Sequence, residues 1–233
     1  MQDNALRPSS RRHFLGAVAA GTAAFSFSTL AAPLSAGAKT IAQNLYTADD
    51  PDEWFKQIKG KHRMVFDATE PHDGLPFAWP RVLLITNAGT GTPEKDSSVV
   101  VVLRHGAIPF AMEDRLWEKY KFGEVFKVDD PVTKKASLRN AYWKPKPGDF
   151  KIPGVGNVAI GVNELQESGV LFCVCNVALT VYSNIVAQST NGNAEEIKKD
   201  WMSGLLPGVQ VVPSGVWAVG RAQEHGCAYC FAG

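Results

Sequence analysis

Four cysteines and a few imidazoles carry most of the chemistry this sequence could do. Cys173 and Cys175 sit in Gly169-Val170-Leu171-Phe172-Cys173-Val174-Cys175-Asn176, an apolar run that reads as a strand feeding a helix. A thiol placed just before a helix N-terminus faces the positive end of the helix dipole, which favours a thiolate and hence nucleophilic sulfur. Such a thiol needs a base or a partner, and His72 and His105 are the candidates, while Arg104 could bind an anionic ligand or pair with Asp67 or Asp129. An unpaired cysteine in an apolar strand is equally an ordinary small core residue. The two readings part on whether the sulfur reaches solvent, with Cys173 the near alternative to Cys175.

A second cluster, His225-Gly226-Cys227-Ala228-Tyr229-Cys230, offers a Cys-x-x-Cys pair with a third possible metal ligand. It works as a redox or metal motif only if the segment is bent. Residues three apart on a strand point to opposite faces and lie about 10 Å apart, whereas a disulfide needs Cα atoms within about 7 Å. A zinc site would also lack its fourth ligand and second Cys-x-x-Cys. No dinucleotide fingerprint, Walker sequence or Gly-x-Ser-x-Gly elbow is present; Gly89-Thr90-Gly91 follows a helix and has no third glycine.

The elements that must position these groups follow from apolar pattern and punctuation. His62–Asp67 reads as a first strand and Phe77–Asn87 as a helix stopped by Gly89, Gly91 and Pro93. Ser98–Arg104 is an uninterrupted β-branched run, the mark of a strand buried on both faces of a parallel sheet. Phe110–Lys121 reads as one helix. Residues 129–156, broken by Pro131, Pro145, Pro147 and Pro153, are long for a loop and read as a lid or an interface arm held by Tyr142, Trp143 and Phe150. Further on come a helix end at Val162–Ser168, a strand at Gly169–Cys175, helices at Val177–Gln188 and Glu195–Trp201, a strand at Val209–Val212, a helix capped by Ser214 and ended by Gly226, and a last strand at Cys227–Phe231. Alternating strands and helices predict βαβ units and a mostly parallel sheet in one domain, preceded by a polar arm at residues 39–61.

The N-terminus reads as an address. Ser9-Ser10-Arg11-Arg12-His13-Phe14-Leu15 leads into a mildly apolar stretch that ends at Pro33 and Ala36-Gly37-Ala38. Charge, apolar length and small-residue cleavage site occur in the order of a secretory signal peptide, here of twin-arginine type, which predicts export to the periplasm and no stable membrane anchor after cleavage. Removal of residues 1–38 takes three of the 24 basic residues and one of the 23 acidic ones, leaving 21 against 22. That balance offers no basic surface for nucleic acid. At 45% hydrophobic and 20% charged residues the chain is not a disordered one.

The second half resembles the DsrE/DsrF-like family of small α/β proteins linked to sulfur oxidation and sulfur relay. The resemblance rests on the strand through Cys173 and Cys175, on Pro207-Gly208-Val209-Gln210-Val211-Val212-Pro213-Ser214, and on Ala222-Gln223-Glu224-His225-Gly226-Cys227. It spans residues 62–233, interrupted by the 129–156 insertion. It implies a flavodoxin-like three-layer α/β sandwich with a mostly parallel five-stranded sheet in the order 2-1-3-4-5, and a persulfide on Cys175. With that order, Glu70, His72, Arg104, His105, Cys175 and Asn176 gather at the carboxyl ends of the strands. The function so implied is an exported thiol-based sulfur carrier or redox protein with His105 tuning Cys175 and the insertion covering it. The alternative is a non-catalytic metal- or ligand-binding subunit of a periplasmic complex. Expected partners are a second copy or a co-exported protein, together with small sulfur species.

Overall fold

The computed structural model describes residues 51–233. The predicted leader and the first part of the polar arm lie outside them. Among the described residues no helix is long and apolar enough to cross a membrane.

Five strands form one sheet, all parallel: β1 (His62–Ala68), β2 (Ser97–Leu103), β5 (Leu171–Cys175), β6 (Val209–Val212) and β7 (Ala228–Phe231). Strands β3 (Lys151–Ile152) and β4 (Gly156–Asn157) make a separate small hairpin. The central strand β2 is the β-branched run. Its residues alternate between two cores, Val99, Val101 and Leu103 on one side and Val100 and Val102 on the other, each at most 1% exposed. At about 1.5–3 kcal/mol for each fully buried apolar side chain, this strand alone anchors both layers.

Helices cover both faces, giving a three-layer α/β sandwich of flavodoxin-like type. The larger core packs the sheet against Phe77 of α2 (Leu75–Gly89), a 3-10 segment (His105–Ala111), α3 (Asp114–Tyr120), α4 (Phe122–Val125), α5 (Val162–Glu167), α6 (Asn176–Thr190) and α7 (Ala194–Ser203). The smaller one joins Val65, Val100, Val102 and Cys173 to Phe55 of α1 (Pro51–Phe55) and Ala218 and Ala222 of α8 (Gly215–Glu224). The polar arm is therefore not a free tail: Phe55 is 0% exposed.

Strand order departs from the expected one. It runs β6-β5-β2-β1-β7, so the first strand lies between the second and the last. Successive right-handed crossovers carry the chain from β1 to β6 in one direction with their helices on one face; the return to β7 crosses the whole sheet and puts α8 on the other. The carboxyl ends of β1, β2 and β5 still share one edge, now in unbroken order.

The segment predicted as one helix from Phe110 to Lys121 is divided, because Asn140 Nδ2 donates to the carbonyls of both Phe110 and Met112 at 2.9 Å. These carbonyls would otherwise accept from the next helical turn. The insertion is likewise built in. Gly123 N donates to Ser137 O and Ser137 N to Val128 O. Asp130 accepts from Val132 N, Thr133 N and Arg139 Nε at 2.7–2.9 Å. Tyr142 stacks between Phe77 and Phe150, with centroids 4.3 and 4.8 Å away. It lies so close over Gly74, a left-handed residue at φ 88° that caps α2, that no side chain fits there. The insertion is a fixed outer layer, and none of its hydrogen bonds or ring contacts reaches Cys175 or Arg104.

Candidate functional site

Cys175 ends β5 and is itself the N-cap of the 15-residue helix α6. Its backbone is extended (φ −74°, ψ 111°), and its Sγ accepts from Ala178 N at 3.2 Å. That place is usually held by Ser, Thr or Asp, whose oxygen satisfies one of the unpaired N–H groups of the first turn. A neutral thiol is a weak acceptor and an anionic sulfur a strong one, so this cap is suited to negative charge. Cys175 is 6% exposed, whereas Cys173 is 0% exposed. Burial and the neighbouring Cys175 push the Cys173 thiol far up, and it packs with Val102, Val212 and Ala218 as a core residue.

Register places Arg104 beside Cys175. Leu103 pairs with Val174 across β2 and β5, so the next residues, Arg104 and Cys175, leave the sheet side by side. Arg104 Nε and Nη2 donate to the two carboxylate oxygens of Asp67 at 2.6 and 2.8 Å. Asp67 is 3% exposed and also accepts from Tyr229 Oη at 3.1 Å. The hydrogen bonds to Asp67 raise the guanidinium above its ordinary value against the opposing effect of burial, helped by the negative charge of Asp67. The stem of Arg104 lies on Gly215 at the start of α8, where an added Cβ would come within 2.5–2.6 Å of Arg104 Cβ and Cδ.

His105 turns elsewhere. Its Nε2 meets Glu70 Oε1 at 3.1 Å and its Nδ1 meets Tyr182 Oη at 3.1 Å. Burial, then the charge of Glu70, pushes the Tyr182 phenol up to about 12. The Glu70 carboxylate lies so close against Gly106 that a Cβ there would strike it. The bond accepted by the Cys175 thiol comes from Ala178, not from this imidazole. His72 packs edge-on to Phe231 at 5.5 Å, and its buried Nε2 has no hydrogen-bond partner. Asn176 is buried in the first turn of α6, where its carbonyl accepts from Thr180.

The second cluster is not brought together. The chain from Ala228 to Phe231 is a straight edge strand, so Cys227 packs with α8 on one face while Cys230 packs against the larger core on the other. His225 stacks on Phe55, and its carbonyl accepts from Arg63. No group of three or more His, Cys, Asp or Glu among the described residues could hold a metal ion. All four cysteines are free thiols.

Sequence reasoning missed Tyr182, Tyr229 and Gly215. Tyr182 had a usable signal, lying seven residues past Cys175 on one helix face. The other two had none, because their roles follow from strand order.

No family model matches the chain, and no curated protein matches it. Among solved structures, a protein of unknown function, MTH1491 from Methanobacterium thermoautotrophicum, is 21% identical over 73% of this chain and 98% of its own length, with a TM-score of 0.34. An overlap that loose carries no functional information, and what the site does is argued from its own residues.

Proposed function

We propose that the chain is an exported, DsrE-like sulfur carrier or thiol redox protein that works through Cys175. The observation that carries this reading is the Cys175 thiol standing as the cap of α6 at the carboxyl edge of a parallel sheet, the edge that faces ligands in open α/β folds, two strands from the β1–β7 point where this sheet's strand order reverses direction. The leader-like N-terminus supports export to the periplasm, and the DsrE-like motifs support sulfur as the cargo. Arg104 replaces His105 as the residue beside the thiol.

The transfer step balances without an oxidant. The Cys175 thiolate attacks the outer sulfur of a donor persulfide, R–S–SH. The new Cys175–S–SH bond forms as the R–S bond to that sulfur breaks, and R–S⁻ leaves with the bonding pair. The protein returns to the thiolate when an acceptor thiolate repeats the attack.

Intact mass of the protein isolated from the periplasm, before and after reduction, tests the reading. A gain of about 32 Da that reduction removes, localised to Cys175 and absent from Cys175→Ser, is the expected result. No added sulfur after incubation with a persulfide donor overturns it. Retention of partner or ligand binding by Cys175→Ser would then point to the non-catalytic subunit instead.

A further inference from the structure

We propose that Arg104, aimed by Asp67 and seated on Gly215, is the specificity-determining residue of the Cys175 crevice and selects anionic sulfur species over neutral ones. The inference rests on the Cys175 reading above and adds the charge of the substrate class.

A guanidinium on a flexible stem discriminates poorly, but here the head is held by its partners. Two of its nitrogens are fixed by a buried carboxylate in fork geometry, the arrangement that gives arginine its planar specificity. The carboxylate is held in turn by Tyr229 Oη and by its position in the β1 ladder between β2 and β7. The stem lies directly on the bare backbone of Gly215 at the start of α8, where any side chain would push it away. Nη1 has no hydrogen-bond partner, and the side chain is 28% exposed. Nη1 is therefore a pre-aimed donor on the residue level with Cys175 on the neighbouring strand. A neutral thiol or disulfide gains nothing from it. A species carrying a terminal charge, such as a persulfide, thiosulfate or an anionic alkylating agent, meets a donor whose orientation costs no further entropy.

The test uses two small reagents of similar size on the full-length protein: iodoacetate, which is anionic, and iodoacetamide, which is neutral. Peptide mass spectrometry gives the rate at each cysteine. Half-buried Cys230, three strands away across the sheet, serves as the internal reference. In wild type the iodoacetate-to-iodoacetamide ratio at Cys175, relative to Cys230, is expected to be high. It should fall about tenfold in Arg104→Gln, the effect of one charge-assisted hydrogen bond. Asp67→Asn, which keeps the cation but loosens its aim, should lower it by a smaller factor. Arg104→Lys keeps the charge without the fork and should be intermediate. A ratio at Cys175 unchanged from wild type in Arg104→Gln and Arg104→Lys alike overturns the assignment while leaving Cys175 a reactive thiol. If Cys175 of the wild type reacts with neither reagent while Cys230 reacts with both, the sulfur-carrier reading itself fails, and this inference with it.

Discussion

Arg104 and His105 are neighbours in sequence and face different partners: the guanidinium of the first is forked onto Asp67, while the imidazole of the second bridges Glu70 and Tyr182. His105 sits at φ 50°, a left-handed conformation that few residues other than glycine and asparagine tolerate, and the turn is what sends the two side chains apart. His105→Asn keeps that backbone while removing the bridge, so it should lower stability by about 1 kcal/mol. Most of that belongs to the Tyr182 bond, because Glu70 is 44% exposed and its contact with the ring is open to water. A urea midpoint reads the loss. The alkylation rate at Cys175 should change less than twofold, in contrast to Arg104→Gln.

Asp67 is a buried carboxylate whose charge is balanced by Arg104 alone, with Tyr229 as a neutral donor. Arg104→Gln strands that charge and should cost about 2–3 kcal/mol, below the figure for a fully buried pair because Arg104 is partly exposed. Asp67→Asn combined with Arg104→Gln should cost less than the sum of the two single changes, since no orphaned charge is left. Additive losses in a double-mutant cycle would show that the pair is not coupled.

How much of this was open to reading depends on the range of the interaction. Ser97–Leu103 declared itself by an unbroken β-branched run, and Ser214 by its place before a helix; both are local signals. Cys227 and Cys230 were also readable, since strand pleat alone separates them. Strand order was not, because five short apolar runs joined by crossovers carry no local mark of their neighbours. With the order went the identity of the residue beside Cys175: Arg104 and His105 differ by one position, and only the pairing of Leu103 with Val174 decides between them. The division of the Phe110–Lys121 helix was hidden for the same reason, as its cause, Asn140, lies some thirty residues away.

Burial pushes the Cys227 thiol up to about 11, against the pull of Arg63. The folded state thus binds this proton more tightly than the unfolded chain does. The stabilisation is complete below the ordinary thiol pKa of about 8.5 and is lost as pH rises toward 11. Between pH 8 and pH 10.5 the wild-type urea midpoint should drop by an amount worth about 1–2 kcal/mol more than that of Cys227→Ala. Equal slopes for the two proteins would show that Cys227 makes no contribution to alkaline instability.

The insertion hangs on Gly123. Its N–H bonds Ser137 O, and a Cβ at this position would run into the backbone of Ala136 and Ser137. Backbone cannot yield as a side-chain tip can, so Gly123→Ala should cost at least about 2 kcal/mol. Because the insertion supplies Asn140 to the 3-10 segment, proteolysis within residues 129–156 should accelerate in this variant. Protection equal to wild type would mean that the insertion docks without this contact.

Asp200 clasps α7 to α3. Its carboxylate accepts from Arg115 Nη1, Lys119 Nζ and Tyr120 Oη at 2.6–2.8 Å. Burial pushes this carboxyl up, but the bonds from Lys119, Arg115 and Tyr120 outweigh it and hold it well below the usual carboxylate range. A depressed folded-state value means that the clasp is fully formed above the ordinary carboxyl pKa of about 4 and is lost as acid protonates the group below that. Asp200→Asn should therefore be less stable than wild type at pH 7, with the gap closing between pH 4 and pH 2 as the wild type loses the same charge. High salt at pH 7 should narrow the gap too, because Arg115 and Lys119 are exposed and screened. A gap that stays constant across both titrations would assign the effect to packing of the Asp200 side chain and not to its charge.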